Sequence, residues 1–67
     1  MRKTVIYELA AGKKVRVLGE GLGLTEAIYD ALENGYFYDI EGIEPNNIDK
    51  LENYILGANC DYKVEYK

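Results

Sequence analysis

The spacing of apolar and polar residues changes several times along the chain, and each change predicts an element. In "TVIYELA", Thr4 to Ala10, Val5, Tyr7 and Leu9 alternate with Thr4, Ile6 and Glu8. A period of two is the pattern of a half-buried strand. "KVRVL", Lys14 to Leu18, alternates again, with Val15 and Val17 opposed to Lys14 and Arg16. The "AGKK" between them supplies a turn, so the two segments predict a hairpin.

From Thr25 to Asn34 the spacing becomes helical. Ala27, Ile28, Ala31 and Leu32 form one apolar stripe. Thr25 reads as the N-cap, and Glu26 falls in the first turn, where the helix dipole favours a negative charge. Leu24, just before, is placed to staple onto Tyr29. Asn34 and Gly35 end the helix, with the glycine free to turn left-handed. "YFYDIEGI", Tyr36 to Ile43, puts Tyr36, Tyr38 and Ile40 on one face and predicts a third strand. Pro45 is expected to open a second helix at its first position, where a missing N–H costs nothing. Ile48, Leu51 and Ile55 recur at helical spacing, and Gly57 closes that helix. "DYKVEYK", Asp61 to Lys67, sets Tyr62, Val64 and Tyr66 against Asp61, Lys63, Glu65 and Lys67 as a last strand.

The order is β-β-α-β-α-β. It predicts a single α+β domain over residues 1–67, a two-layer sandwich. A four-stranded mixed sheet carries two helices on one face, because parallel crossovers are right-handed. The inner face then takes Val5, Tyr7, Leu9, Val15, Val17, Tyr38, Ile40, Tyr62 and Val64. The outer face is mostly charged, with Ile6, Leu18 and Phe37 as apolar exceptions. Those three are the expected contacts of a homodimer, since a small core with an apolar outer patch favours self-association.

Three glycines in "VLGEGLGLTEA", residues 17 to 27, stand at every second position before the first helix. A dinucleotide fingerprint needs G-x-G-x-x-G between strand and helix. Gly19, Gly21 and Gly23 fall one residue short, Glu20 would repel a phosphate, and no Lys or Arg is present in the loop. The loop reads mainly as a flexible connection. An anion or small-ligand sensor using Gly19 to Gly23 remains as an alternative, because a helix N-terminus offers free N–H groups.

Composition removes several chemistries. There is no histidine, serine or glutamine, and one cysteine, Cys60. Ser-His catalysis and Cys/His zinc sites are therefore excluded, and no intrachain disulfide can form. A lone cysteine fits a reducing compartment, so a cytoplasmic location is expected, with Cys60 as a small, half-buried residue near a strand. No apolar run is long enough to span a bilayer, and "MRKTVIYELAAGKK" is interrupted by Glu8, unlike a signal peptide. With only carboxylates, tyrosines and lysines left for acid–base work in 67 residues, no enzymatic activity and no cofactor are expected. "DIEGIE" holds Asp39, Glu41 and Glu44 but lacks the spacing of a calcium loop, so no metal is expected.

Charge changes the picture most. Glu20, Glu26, Asp30, Glu33, Asp39, Glu41, Glu44 and Asp49 fall between Val17 and Asp49, a stretch without Lys or Arg, in a chain of net charge −4. Glu26, Asp30 and Glu33 share one face of the first helix, although like charges at that spacing are mildly destabilising. Such a stripe is either a solvated face or a surface selected to meet something positive. Tyr29 lies beside it, and tyrosine is enriched at binding hot spots. The expected partner-binding residues are thus Glu20, Glu26, Tyr29, Asp30 and Glu33. The expected partner is a protein with a basic, nucleic-acid-binding surface, not a nucleic acid and not a membrane. Tiny acidic domains of this kind are common among inhibitors carried by phages and other mobile elements, which is an argument from class alone.

Overall fold

The computed structural model describes residues 3–57 and 61–67. It contains β1 (Thr4–Ala10), β2 (Lys13–Gly21), α1 (Leu24–Glu33), α2 (Ile48–Leu56) and β3 (Tyr62–Tyr66). The strands form one antiparallel sheet in the order β2-β1-β3. The fold is a small α+β domain with a three-stranded antiparallel sheet, not the four-stranded mixed sheet that the alternation predicts.

The hairpin turns at Ala11 and Gly12, with φ of 53° and 77°. Two positive φ values are what a two-residue type I′ connection requires. Glycine takes that region freely, whereas Ala11 pays for its Cβ.

The segment expected as a strand at Tyr36 to Ile43 is a loop. Phe37 has φ of 67°, outside the extended region, and its side chain is only 3% exposed. Tyr38, expected in the core, is 58% exposed. The inward residues are Phe37, Ile40 and Ile43, three apart, which join or pack against the core, and the segment is not a strand of the sheet. The Ile43 N–H donates to the Ile40 carbonyl, with Gly42 at φ of 81° in the third place, as a type II turn needs. A second turn follows, in which the Asn47 N–H donates to the Glu44 carbonyl. Pro45 occupies the second position of that turn, which its fixed φ suits. Pro45 therefore does not open the helix. Asn47 is the N-cap of α2, its Oδ1 accepting from the Lys50 N–H at 3.2 Å.

The sidedness of the sheet also differs from expectation. Ile6 pairs with Gly19 on one neighbour and Val64 on the other, and this face meets the helices. Ile6, Leu18 and Phe37 are core residues, not an outer patch. Val15 and Val17, expected inside, are 52% and 46% exposed. Register shifts between Ile6 and Tyr7 and between Glu8 and Leu9 break the alternation along β2. A bulge inserts one residue and reverses which way the following side chains point. With Ile6, Leu18 and Phe37 buried, the homodimer surface they were expected to form is absent.

The glycines explain which face was chosen. Gly19 and Gly21 lie within β2, not in a loop. A Cβ on Gly19 would stand 2.5 Å from the Ala31 backbone nitrogen and closer still to the Ala27 carbonyl oxygen. A Cβ on Gly21 would stand 2.7 Å from that of Glu26. Glycines on the strand and alanines on the helix let the backbones of β2 and α1 approach directly. This packing commits the Gly19 face, and with it Ile6, to the interior. Ile28 of α1 and Leu51 and Ile55 of α2 complete the core, each side chain contributing about 1.5–3 kcal/mol by burial. Phe37 meets the Tyr62 ring edge-on at 5.3 Å, and Tyr54 meets it at 5.9 Å.

Candidate functional site

Helix α1 starts one residue before the expected cap. Gly23 is its N-cap, and the Thr25 hydroxyl donates instead to Glu52 on α2. At the other end Tyr36 N–H donates to the Ala31 carbonyl and Gly35 N–H to that of Leu32. That pair of bonds, with Gly35 at φ of 91°, is a Schellman motif. The Asn34 side-chain amide donates to the Leu18 carbonyl at 3.0 Å, tying the end of α1 to β2.

The structure divides the five expected partner-binding residues into two groups. The Asp30 Oδ2 accepts the Glu20 N–H at 3.0 Å, and the Glu26 Oε2 accepts the Leu22 N–H at 3.2 Å. The Glu20 carboxylate lies 2.8 Å from the Lys3 ammonium. These three acids serve the junction between β2 and α1. Asp30 and Glu26 take the Glu20 and Leu22 N–H groups and, with Glu20, add negative charge beside the glycines, where it would repel an anion. Leu24 lies in the first turn of α1, and Tyr29 is 54% exposed, not stapled into the core. Tyr29 and Glu33 remain available at the surface. The Glu33 carboxylate makes no hydrogen bond or ion pair with the described residues.

Tyr29 and Glu33 line an open groove of about 470 Å³ between the second half of α1 and the segment leading into α2. Leu32, Tyr38, Pro45 and Ile48 complete most of its wall. None of the four belongs to the sequence-based site; Leu32 reads there only as part of the apolar stripe of the first helix. Tyr38 was assigned to the core by alternation, and Pro45 and Ile48 to helix initiation and helix packing. The spacing of Phe37, Ile40 and Ile43 is the signal that would have turned Tyr38 outward.

No family model, no curated protein and no solved structure matches the chain.

The cations sit mainly on the sheet and are largely paired there. Arg16 reaches Glu8 at 2.8 Å, and Lys14 reaches Glu65 at 2.8 Å. Lys67 donates to the Tyr7 hydroxyl at 2.6 Å, and the Lys14 and Lys67 ammoniums stand 4.7 and 5.4 Å from the centre of the Tyr7 ring. These contacts shift ionisation. The hydrogen bond from Lys14 holds the Glu65 carboxyl below the usual carboxylate range. The Tyr7 hydroxyl raises Lys67, and a hydrogen bond to Tyr36, with the charge of Glu8, raises Arg16. Burial, followed by the neighbouring Tyr54 and three carboxylates, pushes the Tyr62 hydroxyl up. None of these four groups lines the groove.

Asp39, Glu41, Glu44 and Asp49 are exposed on the 34–47 loop and the first turn of α2. Among the described residues, the helices and the 34–47 loop carry one cation, Lys50. No three His, Cys, Asp or Glu among the described residues are grouped to hold a metal, and no described helix is long and apolar enough to cross a membrane. Cys60 lies outside the described residues.

Proposed function

We propose that this chain is a non-enzymatic binding module whose helix–loop side covers a basic surface on a partner protein. One observation carries the reading. Glu33, Asp39, Glu41, Glu44 and Asp49 make no ion pair among the described residues, while Lys3, Lys14, Arg16 and Lys67 all do. Most cations of the sheet and its flanks are paired, while the helices and the 34–47 loop carry an excess of acids over one cation, Lys50. An unbalanced acidic surface steers encounter with a basic one and fixes its orientation. A basic surface that binds nucleic acid is a fitting target, because carboxylates compete there with phosphates. In this proposal the module acts as an inhibitor of the kind phages and other mobile elements carry, in a reducing cytoplasm. The contact residues are Tyr29 and Glu33 from the expected set, joined by Tyr38 and the loop acids. Glu20, Glu26 and Asp30 support the module's own structure.

The test is capture of a partner from host lysate on the immobilised chain, followed by affinity measurement over a range of ionic strength. The expected partner is basic, and its affinity falls steadily as salt rises. A partner held equally tightly at low and high salt would remove the electrostatic reading.

A further inference from the structure

We infer that the groove between α1 and the loop receives an arginine side chain of the partner, an inference that rests on the basic-surface reading above. The groove has the volume of a small ligand site, about 470 Å³, within the usual range of roughly 300–1,000 Å³. Leu32, Pro45 and Ile48 give it an apolar base suited to an aliphatic stem. Tyr29 and Tyr38 line it while 54% and 58% exposed, which leaves aromatic surface free for a cation. Each segment that lines it also brings a carboxylate. Glu33 lines it directly, Asp39 follows Tyr38, Glu44 precedes Pro45 and Asp49 follows Ile48.

Arginine matches this combination better than lysine does. Its guanidinium is planar, weakly hydrated and able to stack on an aromatic ring while donating to a carboxylate. A lysine ammonium is a strongly hydrated point charge that loses more on leaving water. An anionic occupant is disfavoured by Glu33, the carboxylate that lines the groove.

The test is an amide NMR titration of the whole chain with a blocked tetra-arginine peptide and, separately, a blocked tetra-lysine peptide. The arginine peptide should shift residues 29–33, 38 and 45–48 saturably, and should bind at least about threefold more tightly than the lysine peptide. Tyr29→Leu and Tyr38→Leu keep apolar bulk at exposed positions while removing a ring. Each should weaken arginine binding by about 2- to 5-fold and narrow the gap between the peptides. Glu33→Gln changes no packing and should weaken it as well. Equal binding of both peptides, with shifts spread over Asp39, Glu41 and Glu44 and no response to the tyrosine variants, would overturn the groove. The basic-surface reading would survive that result. No shift with either peptide at low salt would overturn both.

Discussion

On the sheet, Lys3 meets Glu20, Lys14 meets Glu65 and Arg16 meets Glu8, each at 2.8 Å. On the helices and the 34–47 loop, Glu33, Asp39, Glu41, Glu44 and Asp49 are exposed, Glu33 lines a groove walled by two exposed tyrosines, and Lys50 is the one cation among the described residues there. Exposed pairs like those on the sheet contribute little stability, from about zero to 1 kcal/mol each. Their effect is to cancel charge locally. The helices and the 34–47 loop are thus left with an excess of acids in a chain of net charge −4. The contrast teaches that a run of acids in sequence is not one surface in space. Asp30 and Glu33 are neighbours on the same helix, yet one accepts a backbone N–H at the sheet junction and the other is unengaged.

The comparison can be broken most severely at the glycines, where the two sides are joined. Gly19→Val should destabilise the fold by about 3 kcal/mol or more, because its Cβ meets α1 backbone that cannot move without lifting the helix. Gly23→Ala should cost no more than about 1 kcal/mol, because a Cβ there meets nothing within 4 Å and alanine is only a poorer N-cap than glycine. Denaturant unfolding of both variants checks the contrast. Equal effects would mean that α1 does not rest on β2 as described.

Asp30→Ala should cost about 1 kcal/mol by leaving the Glu20 N–H without its acceptor. Glu33→Lys should leave stability unchanged or raise it by about 0.3 kcal/mol, because it places a positive charge at the helix C-terminus. Thermal unfolding separates the two. This divides a stripe that, read from sequence alone, would let Asp30 and Glu33 both become lysine without cost. A third variant, Ala11→Asn, acts on the hairpin alone. Asparagine tolerates positive φ better than alanine, so a gain of about 0.5–1 kcal/mol is expected with no change in binding. It controls for effects of stability on affinity.

The smallest effect concerns acidity. The folded-state pKa of Glu65 is lowered by Lys14, so its contribution is present above the unfolded-state carboxylate pKa. That contribution is lost as pH falls through the lower folded value. Side-chain carboxyl NMR should find Glu65 titrating below the ordinary glutamate range, and Lys14→Met should return it upward. A Glu65 that titrates normally in both proteins would show that the sheet pairing is too loose to matter.

Much of this fold was legible because the patterns were local. The alternation of Thr4–Ala10 and the stripe of Ala27, Ile28 and Ala31 each belong to one element. The sidedness of the sheet was not legible from alternation, because β1 carries apolar residues on both parities and bulges break the pattern of β2. Gly19 together with Ala27 and Ala31 does encode it, as small residues that bring two backbones together. The false third strand arose because Tyr36, Tyr38 and Ile40 alternate, while the backbone at Phe37 and Gly42 follows turns. Of the site, Tyr29 and Glu33 were visible as an exposed helix face. Tyr38, Pro45 and Ile48 join them only through those turns.

The most direct test of the account compares two charge reversals by their association rates with the captured partner at low salt. Glu33→Lys with Glu44→Lys alters the unbalanced side, and Lys13→Glu alters an exposed residue of the sheet hairpin. The account predicts that the first variant, still folded, associates about tenfold or more slowly, with most of that difference vanishing at high salt. The second should associate as fast as the unmodified chain or faster. Equal slowing by both variants, or slowing by Lys13→Glu alone, would contradict the claim that the helix–loop side is the binding surface.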